Sequence, residues 1–468
     1  MTPQEMVERA LAAARGLDGA IAIATDTSRA DLRWARTTLT TNGESHVVEL
    51  TLIGFRATAD GFATATLARS QPDEAGIDDL VAGVARALAH APPSDDAFPL
   101  VEPHEPAPAD WTAPADRTSS TALEPLAYPL GELFRASTSG GIELFGYAEH
   151  ETTTTWLGSS TGLRRRHCQP SARLEITAKS HGRTRSAWWG LASDDFRDLD
   201  LSPAGSALSQ GLDWQGRRVE VPAGRHRAVL TPGSIGDLMV DLWWSSSARE
   251  AVEGRSVFSA PANQTASTGA TRIGERLSAR DLALSSDPHD PLIPAAPFLA
   301  TSASSDAASV FDNGIAIDRV DWLRHGILEH LLAPRWLAQA HDLPVGVSAD
   351  SLRMEDVAGQ GSLDDVIART DDALLVTCLW YNRLVDPQTL LLTGLTRDGV
   401  YVVKGGEVIG ATTNFRFNDS PVGVLERISD AGVTQRTLPR EMGDYAARVA
   451  MPPVVVEDFH FSTVSDAL

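Results

Sequence analysis

The sequence predicts a multi-domain α+β protein, with an N-terminal α/β domain followed by β-rich domains. Three observations predict it. Helical apolar spacing is confined to a few short stretches. Alternating runs of β-branched and apolar residues, bounded by turn signals, fill much of the rest. The chain has 468 residues, 43% of them hydrophobic. That is too long for one ordinary core but apolar enough to bury several.

The elements follow in order. Thr2 and Glu5 form a capping box with Pro3 at the first helical position, and Met6, Val7, Ala10, Leu11 and Ala14 recur at helical spacing. A short buried strand is expected at 20–24. From 31 to 69 the period is two: Val47, Glu49 and Thr51 alternate with Val48, Leu50 and Leu52, and Asp60-Gly61 turns the chain into a second strand at 62–67. Leu80, Val81, Val84 and Leu88 mark a helix over 77–90. Residues 91–115 hold seven prolines, so 91–119 is read as an exposed linker closing a first domain of residues 1–90. A β-rich middle domain is expected over 120–220, with a short helix at 123–138 and strands at 142–148, 152–157, 172–178 and 185–189. A C-terminal domain over 221–468 opens with a strand at 227–230 and a helix at 234–251. Polar, small-residue stretches at 262–268 and 300–309 read as mobile loops. No internal repeat is present.

Composition excludes several classes. Lys and Arg number 40 against 62 Asp and Glu, a net charge of -22. Such a surface repels phosphate backbones and anionic membranes, and is compatible with a basic peptide. The two cysteines, Cys168 and Cys378, build no disulfide framework and suit a reducing compartment. The N-terminal residues lack the pattern of a signal peptide, and no apolar run is long enough to span a bilayer. A cytoplasmic protein without nucleic-acid or membrane partners is expected.

The residues supply few candidates for chemistry. HExxH and paired CxxC are absent, as are the GxSxG elbow, the Walker loop and the dinucleotide fingerprint. His325-Gly-Ile-Leu-Glu329-His330 is the best local metal candidate. On a regular helix its histidines stand about 140° apart, so a metal site there needs a break at Gly326. The alternative is a turn at Gly326 followed by a strand. Cys168 follows Arg164, Arg165 and Arg166, and nearby positive charge lowers a thiol pKa. The competing reading is a surface turn beside a strand. Cys378 lies in an apolar strand and reads as inert packing. Lys404-Gly405-Gly406-Glu407 reads as a hairpin turn, not a phosphate cradle.

A family resemblance emerges from the third region. Residues 399–408 followed by Asn414-Phe-Arg-Phe-Asn-Asp-Ser420 resemble the C-terminal domain of the TldD/PmbA family. So do Val252-Glu-Gly-Arg-Ser-Val257 and Phe311-Asp-Asn-Gly314. Arg33-Trp-Ala-Arg36 with the strand at 47–55 is similar to the family's N-terminal domain, and Ser160-Thr-Gly-Leu163 to its middle segment. The resemblance covers roughly residues 5–70 and 130–460.

What the resemblance implies is specific. The family pairs two subunits in a metallopeptidase. The TldD-like subunit carries HExxxH on a helix, where two histidines bind zinc and the glutamate is general base. A cysteine ligand comes from a segment before the last strand. In this chain the HExxxH positions fall on Val240, Asp241 and Ser245. No histidine lies between His226 and His289, and 432–453 holds no cysteine. That is the pattern of the non-catalytic TldE/PmbA-type subunit, with no cofactor of its own and zinc expected in a TldD-like partner. Such a subunit would close the cavity and hold an unfolded or flexible peptide by strand addition. Trp243 and Trp244 could pack in the vanished site or against the partner, with plain core packing as the alternative. Asn414, Arg416 and Asn418 alternate with Phe415 and Phe417, and present a polar face to a cavity, an interface or solvent. Two other classes stay open: a self-sufficient amide hydrolase using His325, Glu329 and His330 or Cys168, and a homo-oligomeric binding protein.

Overall fold

The computed structural model describes residues 1–197, 199–260 and 271–465. The loop expected at 262–268 lies outside them. The architecture is α+β.

The first layer begins with helix α1 (Pro3–Ala13), whose Thr2–Glu5 capping box and N-terminal proline are present. Three strands follow, β1 (Gly19–Ala35), β2 (Thr38–Thr58) and β3 (Gly61–Ser70), then α2 (Glu74–Leu88). After residues 91–119 come α3 (Glu124–Ser139), β4 (Glu143–Ser159), β5 (Arg164–Ser180), β6 (Arg185–Ser193) and α4 (Ser202–Trp214). All six strands form one antiparallel sheet in the order β3-β2-β1-β4-β5-β6. It takes three strands from each side of residues 91–119. Those residues are strapped onto it: Trp111 is buried, the Trp156 indole donates to its carbonyl, and Arg117 pairs with the buried Asp26.

The two faces of this sheet differ. One is apolar at both ends, with a buried polar belt of Asp26, Ser28, Thr152, Thr154 and His150 between them. Ala20, Ala22, Ala24 and Trp156 pack with α1 and α2, while Ala30, Leu144, Leu174 and Ile176 pack with α3 and α4. The other is apolar only at one end, where Ile21, Ile23 and Leu157 meet Phe298 and Phe311. Beyond that end it is polar. This explains why the two strands expected at 142–148 and 152–157 are one. Glu149 and Glu151, which look like a break, lie on the polar face and pair with Arg29. The intervening His150 faces the opposite way, beside Thr118.

The second layer contains β7 (Gly224–Leu230), α5 (Pro232–Trp244), α6 (Ala248–Val252), β8 (Leu282–Ser286), β9 (Val320–Arg324), β10 (Ile327–Leu328), α7 (Arg335–His341), β11 (Leu352–Asp356) and α8 (Leu363–Ala368). It continues with β12 (Asp372–Val376), β13 (Leu379–Asp386), β14 (Leu391–Thr396), β15 (Val400–Lys404), β16 (Glu407–Ala411), β17 (Asn414–Asp419) and α9 (Pro421–Glu426). The last strands are β18 (Ile428–Ala431), β19 (Gln435–Thr437), β20 (Val449–Met451) and β21 (Val454–Ser465). Two sheets result. One has six strands, β10-β9-β8-β11-β20-β19. The other has nine, β13-β14-β17-β21-β7-β12-β15-β16 with β18 beside β21. A single core holds Leu238, Met239 and Val240 of α5 together with Phe415, Phe417, Phe459 and Phe461.

Three local expectations are corrected. The helix expected over 234–251 is two helices. Ser246 Oγ donates to the Trp243 carbonyl, and Ser247 caps α6. The loop at 300–309 is pinned: Ser304 and Ser309 donate to Asp96, and Asn313 bonds the Thr301 backbone in both directions. Helix α4 was not anticipated, because its small residues hide the Ala204–Leu208–Leu212 stripe.

Candidate functional site

Helix α5 carries Val240 and Asp241, with Ser245 directly after it. Thr231 caps it and Pro232 opens it. It is apolar on almost every side because both sheets enclose it. Val240 is wholly buried among hydrocarbon, and its side chain has no donor atom for a metal. Ser245 ends the helix, and its N–H bonds the Asp241 carbonyl. Asp241 accepts from Asn382 Nδ2 at 3.3 Å. Burial, with Glu441 adding repulsion, pushes its carboxyl up to about 6. This donor set does not suit zinc, and among the described residues no group of three His, Cys, Asp or Glu side chains is placed to hold a metal ion.

One turn earlier, Asp237 is fully buried. Its Oδ1 accepts from the N–H groups of Glu441 and Met442 at 3.0 and 3.1 Å, while Oδ2 has no partner. Burial holds this carboxyl well above the usual range. Sequence reasoning missed Asp237; the signal was an aspartate in an otherwise apolar helix. Glu441 in turn accepts from the backbone N–H of Tyr381 and pairs with Arg383, both on the edge strand β13. The 438–448 segment is thus tied to α5 and to β13.

The two tryptophans separate. Trp243 is core, whereas Trp244 is 43% exposed and meets the ring of Tyr445 edge-on at 6.3 Å. Tyr381, Leu384 and Val385 on β13 are also more than half exposed. Asn382 of the same strand bonds Asp241, so these exposed side chains stand on the strand beside α5. The pairing of β13 with β14 shifts register twice.

Asn414, Arg416 and Asn418 are not part of this region. Their phenylalanine neighbours point into the core that holds α5, so the polar row faces the other side of the nine-stranded sheet. There Asn414 and Asn418 accept from Thr396 and Thr393, and Arg416 donates to Thr393.

His325, Glu329 and His330 do not converge. His325 and Gly326 both have positive φ, 52° and 74°, and form the β9–β10 turn. His325 Nδ1 donates to Asp281, His330 Nδ1 to the Asp321 carbonyl, and Glu329 pairs with Arg324. Cys168 lies within strand β5 rather than in a turn. Burial pushes its thiol up, which outweighs the neighbouring Arg166 and removes the basis for an activated nucleophile. Cys378 is buried and also pushed up.

A cleft of about 570 Å³ opens where the polar face of the first sheet meets residues 443–448. Arg29, Thr153, Thr155, Gln169, Ser171 and Arg173 line its floor. Asp444 crosses it to pair with Arg173, and Arg448 stands 3.6 Å from Asp350. Burial keeps His167 below its ordinary pKa, and its Nε2 donates to Gln169.

With the fold and this region in view, the class is defined by comparison. Residues 223–463 match the family model described as the PmbA/TldA metallopeptidase C-terminal domain, which is more than half of the chain. The chain belongs to the PmbA/TldD metallopeptidase family. The whole chain is similar in fold to TldE from Thermococcus kodakarensis, with a TM-score of 0.77 and 14% identity over 98% of this chain and 99% of that one. A candidate modulator of DNA gyrase from Bacteroides thetaiotaomicron gives 0.74 and 13% over the same shares. A similarly described protein from Thermotoga maritima gives 0.71 and 13%, again over 98% and 99%. No curated protein matches the chain.

Proposed function

We propose that this chain is the non-catalytic, substrate-positioning subunit of a two-subunit zinc peptidase of the cytoplasm, acting with a TldD-like partner on unfolded or flexible peptides. One observation carries the reading. In a chain of this metallopeptidase family, the helix expected to bear HExxxH holds Val240, Asp241 and Ser245 instead, and HExxxH occurs nowhere in the sequence. Valine offers no lone pair, and the serine hydroxyl is a poor zinc ligand. The overall likeness to a TldE supports the same assignment.

The role left to the chain is geometric. The partner supplies zinc and the general base; this chain shapes the surroundings. The exposed Trp244, Tyr381, Leu384 and Val385 have the aromatic and aliphatic character of interface residues. The register shifts in β13 blunt an otherwise open sheet edge, so docking there runs through side chains rather than strand addition.

The test is reconstitution. The purified chain and an HExxxH-bearing homologue should each be inactive on a flexible peptide, should co-purify, and should cleave only when mixed. Trp244→Ala with Leu384→Asp should weaken association by about tenfold or more. Stoichiometric zinc and peptide cleavage in the isolated chain would overturn the proposal.

A further inference from the structure

We infer that the cleft between the polar face of the first sheet and residues 443–448 is a binding site for a basic peptide segment, seating a lysine or arginine side chain against Asp350, Asp444 and Tyr445. The inference rests on the peptide-positioning reading above and names the class of peptide positioned.

The floor of the cleft is the first argument. A sheet face covered by another part of the chain is ordinarily apolar. This one starts so, with Ile21 and Ile23 under Phe298 and Phe311. It then changes to Thr25, Thr27 and Arg29 along β1, and to Glu151, Thr153 and Thr155 along β4. Thr27 and Thr153 bond each other there and Arg29 pairs with Glu151, so the floor is a polar network rather than a packed surface. Space of about 570 Å³ over such a floor suits a polar chain segment.

The second argument is which charges can be reached. The guanidinium side chains of Arg173 and Arg448 are only 18% and 9% exposed, whereas Asp444 and Asp350, their partners, are 68% and 67% exposed. The arginines sit beneath and hold the carboxylates at the opening, so an incoming group meets negative charge first. The cleft sets Glu149, Glu151, Asp350 and Asp444 against Arg29, Arg173 and Arg448; burial raises the Asp350 carboxyl, which Arg448 counters, and burial lowers His167. The net charge of -22 favours approach of a cation from a distance.

The third argument is independent of charge balance. Arg448, nine-tenths buried and lining the cleft, leaves its Nε without a hydrogen-bond partner. The Arg448 guanidinium is otherwise held by Asp350 and the Pro170 carbonyl, which fixes it against the cleft wall. At the opening, the Tyr445 ring is 71% exposed and offers a face to an ammonium or guanidinium. The same ring meets Trp244 edge-on, so the cleft adjoins a residue assigned to the partner.

The experiment uses the full chain alone and fluorescent peptides of equal length on a Gly-Ser background, carrying lysines, glutamates or neither. The lysine peptide should bind about tenfold more tightly than the other two at low salt, and lose that advantage as salt rises. Asp350→Asn with Asp444→Asn should abolish the preference, because the two exposed carboxylates at the opening are then gone while Arg448 and Arg173 stay. Asp213→Asn with Glu220→Gln, an equal charge change on exposed residues elsewhere, should leave the preference unchanged. Ser171→Lys keeps the rim carboxylates but puts a cation on the floor, and should exclude the lysine peptide. Equal binding of all three peptides, or equal loss in the remote variant, overturns the inference. Because no partner is present, a lysine preference here together with failed reconstitution would sink the subunit proposal alone; the reverse result would sink the cleft alone.

Discussion

Asp237 has no exposed surface, yet its Oδ1 holds the N–H groups of Glu441 and Met442 and so fixes the segment between α5, β13 and the cleft. Asparagine keeps that acceptor oxygen and avoids a buried charge, so Asp237→Asn should change stability little. Asp237→Ala strands two N–H groups and should cost about 1–3 kcal/mol by urea unfolding. One turn on, Asp241 gives a pH signature. Its carboxyl rises from an ordinary 3.8 to about 6 in the folded chain. Between these values the folded state binds more protons than the unfolded state, so stability falls as pH rises from about 4 to about 6. Asp241→Asn can still accept from Asn382 and has no proton to lose. It should flatten this fall and gain about 1–2 kcal/mol at neutral pH. Unfolding curves at pH 4.5 and 7 with unchanged slopes in wild type and variant would refute the account.

At the scale of elements, strand β17 separates packing from surface along six residues. Phe417→Ala should cost about 3–5 kcal/mol, because the ring is fully buried against Phe459 and leaves a cavity. Arg416→Ala, on the exposed face, should stay within about 0.5 kcal/mol. Guanidinium unfolding of the two variants checks both. This alternation was legible because a strand has period two whatever it packs on. The capping box of α1 was legible for a similar reason: its hydrogen bonds close within four residues. Less local features were not. Glu149 and Glu151 read as a strand break because the arginine that pairs with them lies more than a hundred residues away. The 300–309 loop read as mobile because Asp96, which pins it, is equally remote.

At the scale of the molecule, the first sheet and the C-terminal sheets are joined by a ladder of side chains. Arg440 lies between the rings of Trp188 on β6 and Trp380 on β13, 5.3 Å from each centroid, and pairs with the buried Asp398. Asp398 also accepts from Ser186 on β6. Arg440→Ala removes the main counter-charge of a carboxylate that is 3% exposed, and should destabilise the chain by about 3–5 kcal/mol. Near-UV circular dichroism should register the two tryptophans together with the loss of stability. A variant as stable as wild type would show that the junction rests on other contacts. The ladder was invisible in the sequence, because no spacing rule relates residues 188, 380 and 440.

By itself the sequence determined the α+β class, the family resemblance that the comparisons bear out, and the identity of the side chains at Val240, Asp241 and Ser245. These follow from local periodicity and from which side chains carry donor atoms, neither of which needs a partner in space. The tertiary structure decided which residues meet. It placed Asn414, Arg416 and Asn418 on the far side of the sheet from α5, separated exposed Trp244 from buried Trp243, dispersed His325, Glu329 and His330, and gathered a polar cleft from strands and a loop distant in sequence. Burial and charge pairing depend on long-range contacts, and those form only when the sheets close on one another.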